Sequence, residues 1–399
     1  MKLKLIILLI SCLLEYSSQA EFSREKNAQL NFDFYGDAIL LQIDSNFIAD
    51  FSDSLSQNSI NAFYNSINNQ SSNALISSLL EYKEKYKLDD WLYYQLIRKV
   101  AQCISPKTNN YTRYTLYKWF LLSKSGYNAT LSICGGKILF YVQSDENVYE
   151  IPCHTKGDKQ YVCLNYHDYG SLDFTKDIFI EVPVEVPGAV KSFSYKIQEM
   201  PSFHPSDYKE KEVSFDVYQN SYQFKIKLNK QIPAIFANYP VVDYASYFNI
   251  PMSKETYQSL IPVLQKNIKR LKVKDGVDYL MRFTRYAFLF ETDTENFGKE
   301  KRLTAEQTLL YDHSDCEDRA ALFFYLVKEI YHLPMIVLSY PKHVTIAVKF
   351  DKPVGTPIIY NGEQYSVCEP TPQKEDLLVG QLLPGLKKSA YEVVYAYKP

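Results

Sequence analysis

Ser314-Asp315-Cys316-Glu317-Asp318-Arg319, continuing as Ala320-Ala321-Leu322-Phe323-Phe324-Tyr325-Leu326-Val327-Lys328-Glu329-Ile330, is the stretch on which the fold turns. The run after Cys316 is apolar at helical spacing and on nearly every side, which predicts a central, buried helix. Ser314 and Glu317 form an S-x-x-E capping box, so the helix is predicted to open here with Cys316 in its first turn. The partial positive charge of a helix N-terminus favours the thiolate, the reactive form of a cysteine. Cys316 is therefore the candidate nucleophile; the plainer reading is a packed core thiol. Asp315, Glu317 and Asp318 read as caps and ion-pair partners. Arg319, one turn on, is placed to hold Asp315 or Glu369.

A nucleophile needs a base, and the base needs an orienting group. His343 opens the alternating run Val344-Thr345-Ile346-Ala347-Val348-Lys349-Phe350, a predicted strand with one buried face. Asn361-Gly362 marks a tight hairpin turn, after which Tyr365-Ser366-Val367-Cys368-Glu369-Pro370-Thr371 reads as a second strand ending at Glu369. If the two strands pair, the Glu369 carboxylate reaches the imidazole. Cys368 should face away from Glu369, because neighbours on a strand point to opposite faces.

Cys316 in SDCEDRA, His343 in KHVTIAV and Glu369 in CEPT resemble the motifs of the transglutaminase-like superfamily of papain-like fold enzymes. In that superfamily a cysteine opens a core helix, a histidine opens a strand, and an Asp followed by Pro-Thr ends the next strand. Residues 292–301 also resemble exported Bacteroidetes members. The motifs cover about 80 residues and a looser likeness spans 250–399; Glu369 stands where Asp is commoner. The resemblance implies acyl transfer through a thioester on a Cys316–His343–Glu369 triad. The acceptor would be water for a peptidase or amidase, and an amine for a cross-linking enzyme. The substrate implied is a peptide or protein amide, with no cofactor and no metal. The alternative is a non-catalytic envelope scaffold, or a peptide- or glycan-binding protein, on the same fold. Tyr117–Leu131 resembles the helix-turn-strand of the same superfamily without its cysteine. Aligning Gly126 with His332 sets Asn110 opposite Cys316, which suggests a degenerate N-terminal copy.

Outward from this core, Lys2 and Lys4, an apolar run to Leu14 and the Ser18-Gln19-Ala20 cleavage site read as a signal peptide over 1–20. Leu9-Ile10-Ser11-Cys12 offers an alternative, a lipid anchor at Cys12. The protein is expected to be exported, periplasmic or secreted, or else lipid-anchored. Residues 21–170 read as an α+β domain, 171–245 as a β-rich module, and 246–399 as the catalytic α+β domain. In the last, the core helix is expected to pack on an antiparallel sheet. A loop at 291–303 could cover the cysteine. The formal net charge of −2 over 399 residues gives no footprint for nucleic acid. With 35 tyrosines, 13 glycines and no GxxxxGK[ST] or GxGxxG, phosphate-binding folds lack their signature. Cys153 and Cys163 flank a predicted turn and could bridge it. With His154 and His167 they match no common zinc spacing.

Overall fold

The computed structural model describes residues 27–52, 54–170, 172–290 and 301–399. The signal peptide expected over 1–20, Cys12 and residues 291–300 lie outside the described residues. The architecture is mixed α+β, with helices packed against antiparallel sheets. No helix among the described residues is long and apolar enough to cross a membrane.

The first half opens with a hairpin, β1 (Asn27–Phe34) and β2 (Asp37–Asp44), turned by Tyr35 and Gly36. Gly36 takes φ +102°, and a Cβ there would meet the His204 backbone nitrogen at 2.6 Å, so the turn admits only glycine. Four helices follow: α1 (Gln57–Ile67), α2 (Gln70–Lys85), α3 (Asp90–Ile104) and α4 (Tyr111–Lys124). Ile60, Phe63 and Ile67 of α1 are buried, so this Ser/Asn-rich stretch is packed rather than loose. Strands β3 (Ala129–Cys134) and β4 (Lys137–Gln143) come next. They are followed by β5 (Val148–Tyr149), β6 (Cys153–Lys156), β7 (Lys159–Cys163) and β8 (Ile180–Val182). The sheet order is β6-β7-β4-β3-β8, with α4 against β3 and β4.

The second half starts with a longer hairpin, β9 (Tyr208–Val217) and β10 (Asn220–Asn229). Short α5 (Ile232–Ile235), β11 (Val241–Val242) and α6 (Tyr244–Phe248) lead to α7 (Lys254–Ile268) and α8 (Val273–Tyr286). After β12 (Leu289–Phe290), α9 (Ala305–Leu310) and β13 (His313–Ser314) comes α10 (Cys316–Tyr331). Strands β14 (Met335–Tyr340), β15 (His343–Val348), β16 (Ile358–Tyr360), β17 (Glu363–Cys368) and β18 (Glu392–Tyr397) complete the second sheet, ordered β16-β17-β15-β14-β18.

The two halves repeat one plan. Each has a hairpin packed on two helices, then a core helix, an antiparallel strand pair, a second hairpin joining the pair's outer edge, and a last strand on the opposite edge. Within the β-rich stretch expected at 171–245, β8 completes the first sheet, β9–β10 packs on α7 and α8, and β11 pairs with β5. Prolines leave most of 183–205 outside any strand, and its backbone is held by contacts with the backbone of Gly126, Asn128 and Gln143 and by side chains. Ser194 N–H donates to Asp90 and Tyr195 N–H to Glu146. The halves join where β5 pairs with β11 and where Trp91 Nε1 donates to the Ile235 carbonyl at 3.0 Å.

The halves differ most between the second helix of the plan and the core helix. In the first half the short segment 105–110 makes this connection; in the second, 287–315 does, carrying β12, α9 and β13. Helix caps set the alignment. Asn110 caps α4 as Asp315 caps α10, so Tyr111, not Asn110, occupies the place of Cys316. The glycine-based alignment was one residue off because α10 is one residue longer before its left-handed His332. Lys137 opens β4 where His343 opens β15. Tyr141 pairs with Cys163 as Ala347 pairs with Val367, which puts Asn165 at the place of Glu369. In the first half two of these positions are bonded to each other: Asn165 Nδ2 donates to Tyr111 Oη at 2.9 Å, and Tyr111 O–H donates to Asp168 at 2.6 Å.

Candidate active site

Cys316 is the first residue of α10, but the capping box sits one residue later than the S-x-x-E spacing predicts. Asp315 Oδ1 accepts from the amides of Glu317 (2.9 Å) and Asp318 (3.2 Å), and Asp318 Oδ2 accepts from the Asp315 amide. Ser314 is unavailable as a cap because it lies in β13, paired in parallel with Phe290. Asp315 thus consumes the amides after Cys316 and leaves that of Cys316 uncommitted among the described residues. Glu317 turns outward to Arg302, at 2.7 Å, and accepts from Tyr244 O–H.

Arg319 does not hold Asp315 or Glu369 through a hydrogen bond in the way its position suggested. Its buried guanidinium donates to the carbonyls of Thr284, Arg285, Phe288, Leu289 and Ser314. It satisfies the free carbonyls at the end of α8 and so ties α8 to the start of α10. At Gly276 of α8 the two helices approach so closely that a Cβ would fall 1.6 Å from Tyr331 Oη.

His343 and Glu369 come together. In the β15–β17 register they share a face at the end of the sheet, and His343 Nε2 lies 2.7 Å from Glu369 Oε2. Glu369 is only 1% exposed, and its other oxygen accepts from the Thr371 amide at 2.9 Å. Its backbone carbonyl accepts from Arg285. With Nε2 committed to the carboxylate, Nδ1 is the nitrogen left to exchange a proton with a substrate or thiol. Cys316 reaches the same end of the sheet, close enough to Val344, next to His343, for that residue's backbone N–H to favour the thiolate.

The thiol does not have the depressed pKa expected of a helix N-terminus. Burial pushes it up to about 12, with Asp315, Glu317 and Glu369 adding repulsion against a thiolate. The helix dipole and the Val344 amide pull the other way and are outweighed. The resting cysteine is therefore a neutral thiol.

Cys368 is fully buried, and burial pushes its thiol upward. It faces the core away from Glu369, as strand alternation predicts. All six described cysteines are free. Cys153 pairs with Val162 rather than Cys163, so the two sulfurs of that hairpin point to opposite faces and do not bridge. Among the described residues no three His, Cys, Asp or Glu side chains gather as metal ligands.

Sequence reasoning missed Arg285, the Thr371 amide and the Val344 amide. Only Arg285 left a trace: with Arg282 it stands on a helix whose neighbours Leu280, Met281 and Phe283 are core residues. The backbone donors leave no mark in a sequence. No protein-family model matches the chain, and no curated protein matches it.

Proposed function

We propose that this chain is an exported cysteine-dependent acyl-transfer enzyme of transglutaminase-like fold, most simply a peptidase or amidase acting on peptide amides. The observation that carries the reading is the buried Glu369 carboxylate on His343 Nε2 at 2.7 Å, with Cys316 at the adjoining helix start. His343 Nδ1 takes the thiol proton as the sulfur attacks the amide carbonyl. This order suits a neutral resting thiol. The Cys316 amide, left free by the Asp315 cap, donates to the developing oxyanion. His343 then gives its proton to the leaving amine, and the C–N bond breaks to leave a thioester on Cys316. Water, deprotonated by His343, attacks the thioester, releases the acid and restores the thiol. Glu369 keeps the imidazole in the productive tautomer and stabilises the imidazolium in between.

The reading is tested by acylating the mature chain with p-nitrophenyl acetate and locating the acetyl group by peptide mass spectrometry. Acetylation confined to Cys316 and lost in Cys316→Ala is the expected result.

A further inference from the structure

A cavity of about 260 Å³ opens where the two halves meet, lined by Tyr149, Glu150, Tyr166 and His167 of the first half and by Tyr239 and Arg302 of the second. Arg302 is the bridge to the candidate active site, since the same side chain pairs with Glu317, the neighbour of Cys316. Its charge is spent there, and its other nitrogens donate to the Val242 carbonyl and to Tyr244 Oη. Lys301, also on the wall, carries its ammonium over the Tyr311 ring at 5.1 Å.

The groups left over are acceptors and aromatic rings. Glu150 is exposed and makes no hydrogen bond among the described residues, and its charge is felt by Tyr166. His167 Nδ1 is buried without a hydrogen-bond partner. Its Nε2 lies 3.5 Å from Asp168 Oδ1, and burial together with Arg98, Lys118 and Lys107 lowers the imidazole to about 4. Glu150 also holds a left-handed backbone, φ +58°. That is an unusual conformation for a long side chain, and such outliers concentrate at ligand sites.

The Glu150 carboxylate and the rings of Tyr149, Tyr166 and Tyr239 around one cavity are complementary to an organic cation. We infer that this cavity binds a basic side chain, lysine or arginine, of the peptide whose amide is presented to Cys316. The first half thereby serves the second by supplying the specificity pocket. The inference rests on the acyl-transfer reading for the identity of the ligand as substrate, but its test does not need catalysis.

The test is fluorescence anisotropy with the full mature chain carrying Cys316→Ala. The probes are fluorescein-labelled peptides of one Ala/Gly/Ser sequence with a single central lysine, norleucine or glutamate, read at about 0.15 M salt so that diffuse charge attraction is screened. The lysine peptide should bind at least about tenfold more tightly than the norleucine peptide, and the glutamate peptide weakest. Glu150→Gln should remove most of that preference. Glu150→Asn, whose side chain tolerates the left-handed backbone, should do the same in a protein with an unchanged melting temperature. Equal affinity for lysine and norleucine peptides, a lysine preference untouched by both Glu150 variants, or no binding of the lysine peptide overturns the inference. Free spermidine that competes no better than sodium at equal ionic strength supports a peptide ligand; spermidine that binds more tightly than the lysine peptide contradicts it. A lysine preference in a protein whose Cys316 never acylates leaves the cavity standing and removes the acyl-transfer reading instead.

Discussion

His343 and Glu369 sit on neighbouring strands, with Nε2 and Oε2 2.7 Å apart and the carboxylate sealed from solvent. A buried carboxylate with two donors, one an imidazole and one the Thr371 amide, is a built arrangement and not a chance surface pair. Glu369→Gln should keep the Thr371 contact and the fold, yet slow acylation of Cys316 by about 10- to 100-fold, because the amide cannot stabilise an imidazolium. Glu369→Ala should in addition lower stability by about 1–3 kcal/mol, since it strands two buried donors. Stopped-flow acylation and thermal melts separate the two effects.

The raised thiol gives a pH prediction of its own. With its pKa pushed up to about 12, Cys316 should alkylate slowly with iodoacetamide at pH 6–8, and the rate should still climb through pH 10. Asp315→Asn preserves a capping side chain and removes one negative charge beside the sulfur. The thiol pKa should then fall, and labelling at a fixed pH should rise, up to about tenfold for one unit. A labelling plateau below pH 8 in the parent protein would contradict the neutral-thiol description.

Arg319 gathers five backbone carbonyls at the junction of α8 and α10. Arg319→Met should leave these acceptors buried and unsatisfied, at a cost of about 3–5 kcal/mol. Chemical denaturation measures it. Loss of Cys316 acylation in the fraction that remains folded would show that the same bolt positions the nucleophile.

Lys118 is buried on α4 with its ammonium 4.5 Å from the Tyr114 ring, and burial lowers its pKa to about 7. Between pH 7 and its ordinary value of 10.5, the unfolded chain binds a proton that the native state does not. Stability therefore rises with pH across that window, and below it the buried amine costs stability. Lys118→Met should stabilise the protein at pH 7, by up to roughly 4 kcal/mol, and flatten the pH 7–10 dependence of the melting temperature.

Much of the C-terminal half was legible because its signals are local. Apolar spacing after Cys316 marked α10, alternation after His343 marked β15, and Asn361-Gly362 marked the turn that sets the β16–β17 register. The capping box was displaced because Ser314 is recruited into β13 by a strand pair that no local pattern announces. The thiol's raised pKa was also out of reach, since it depends on burial and on Glu369, which is remote in sequence. The packing partners of the β-rich stretch 171–245 were out of reach for a related reason. Period-two alternation reports a strand with one buried face and does not report which helices cover it, and here they are α7 and α8. The repeated plan is faint in sequence because Tyr111, Lys137 and Asn165 stand in the first half where Cys316, His343 and Glu369 stand in the second.

The most direct test of the central claim is the acetylation of Cys316 by p-nitrophenyl acetate, followed by intact-mass and peptide mass spectrometry in the parent chain and in His343→Ala. The account expects a single acetyl group on Cys316, formed at least about 100-fold more slowly without the imidazole. Acetylation spread over other cysteines and lysines, or a Cys316 rate unchanged by His343→Ala, would contradict it.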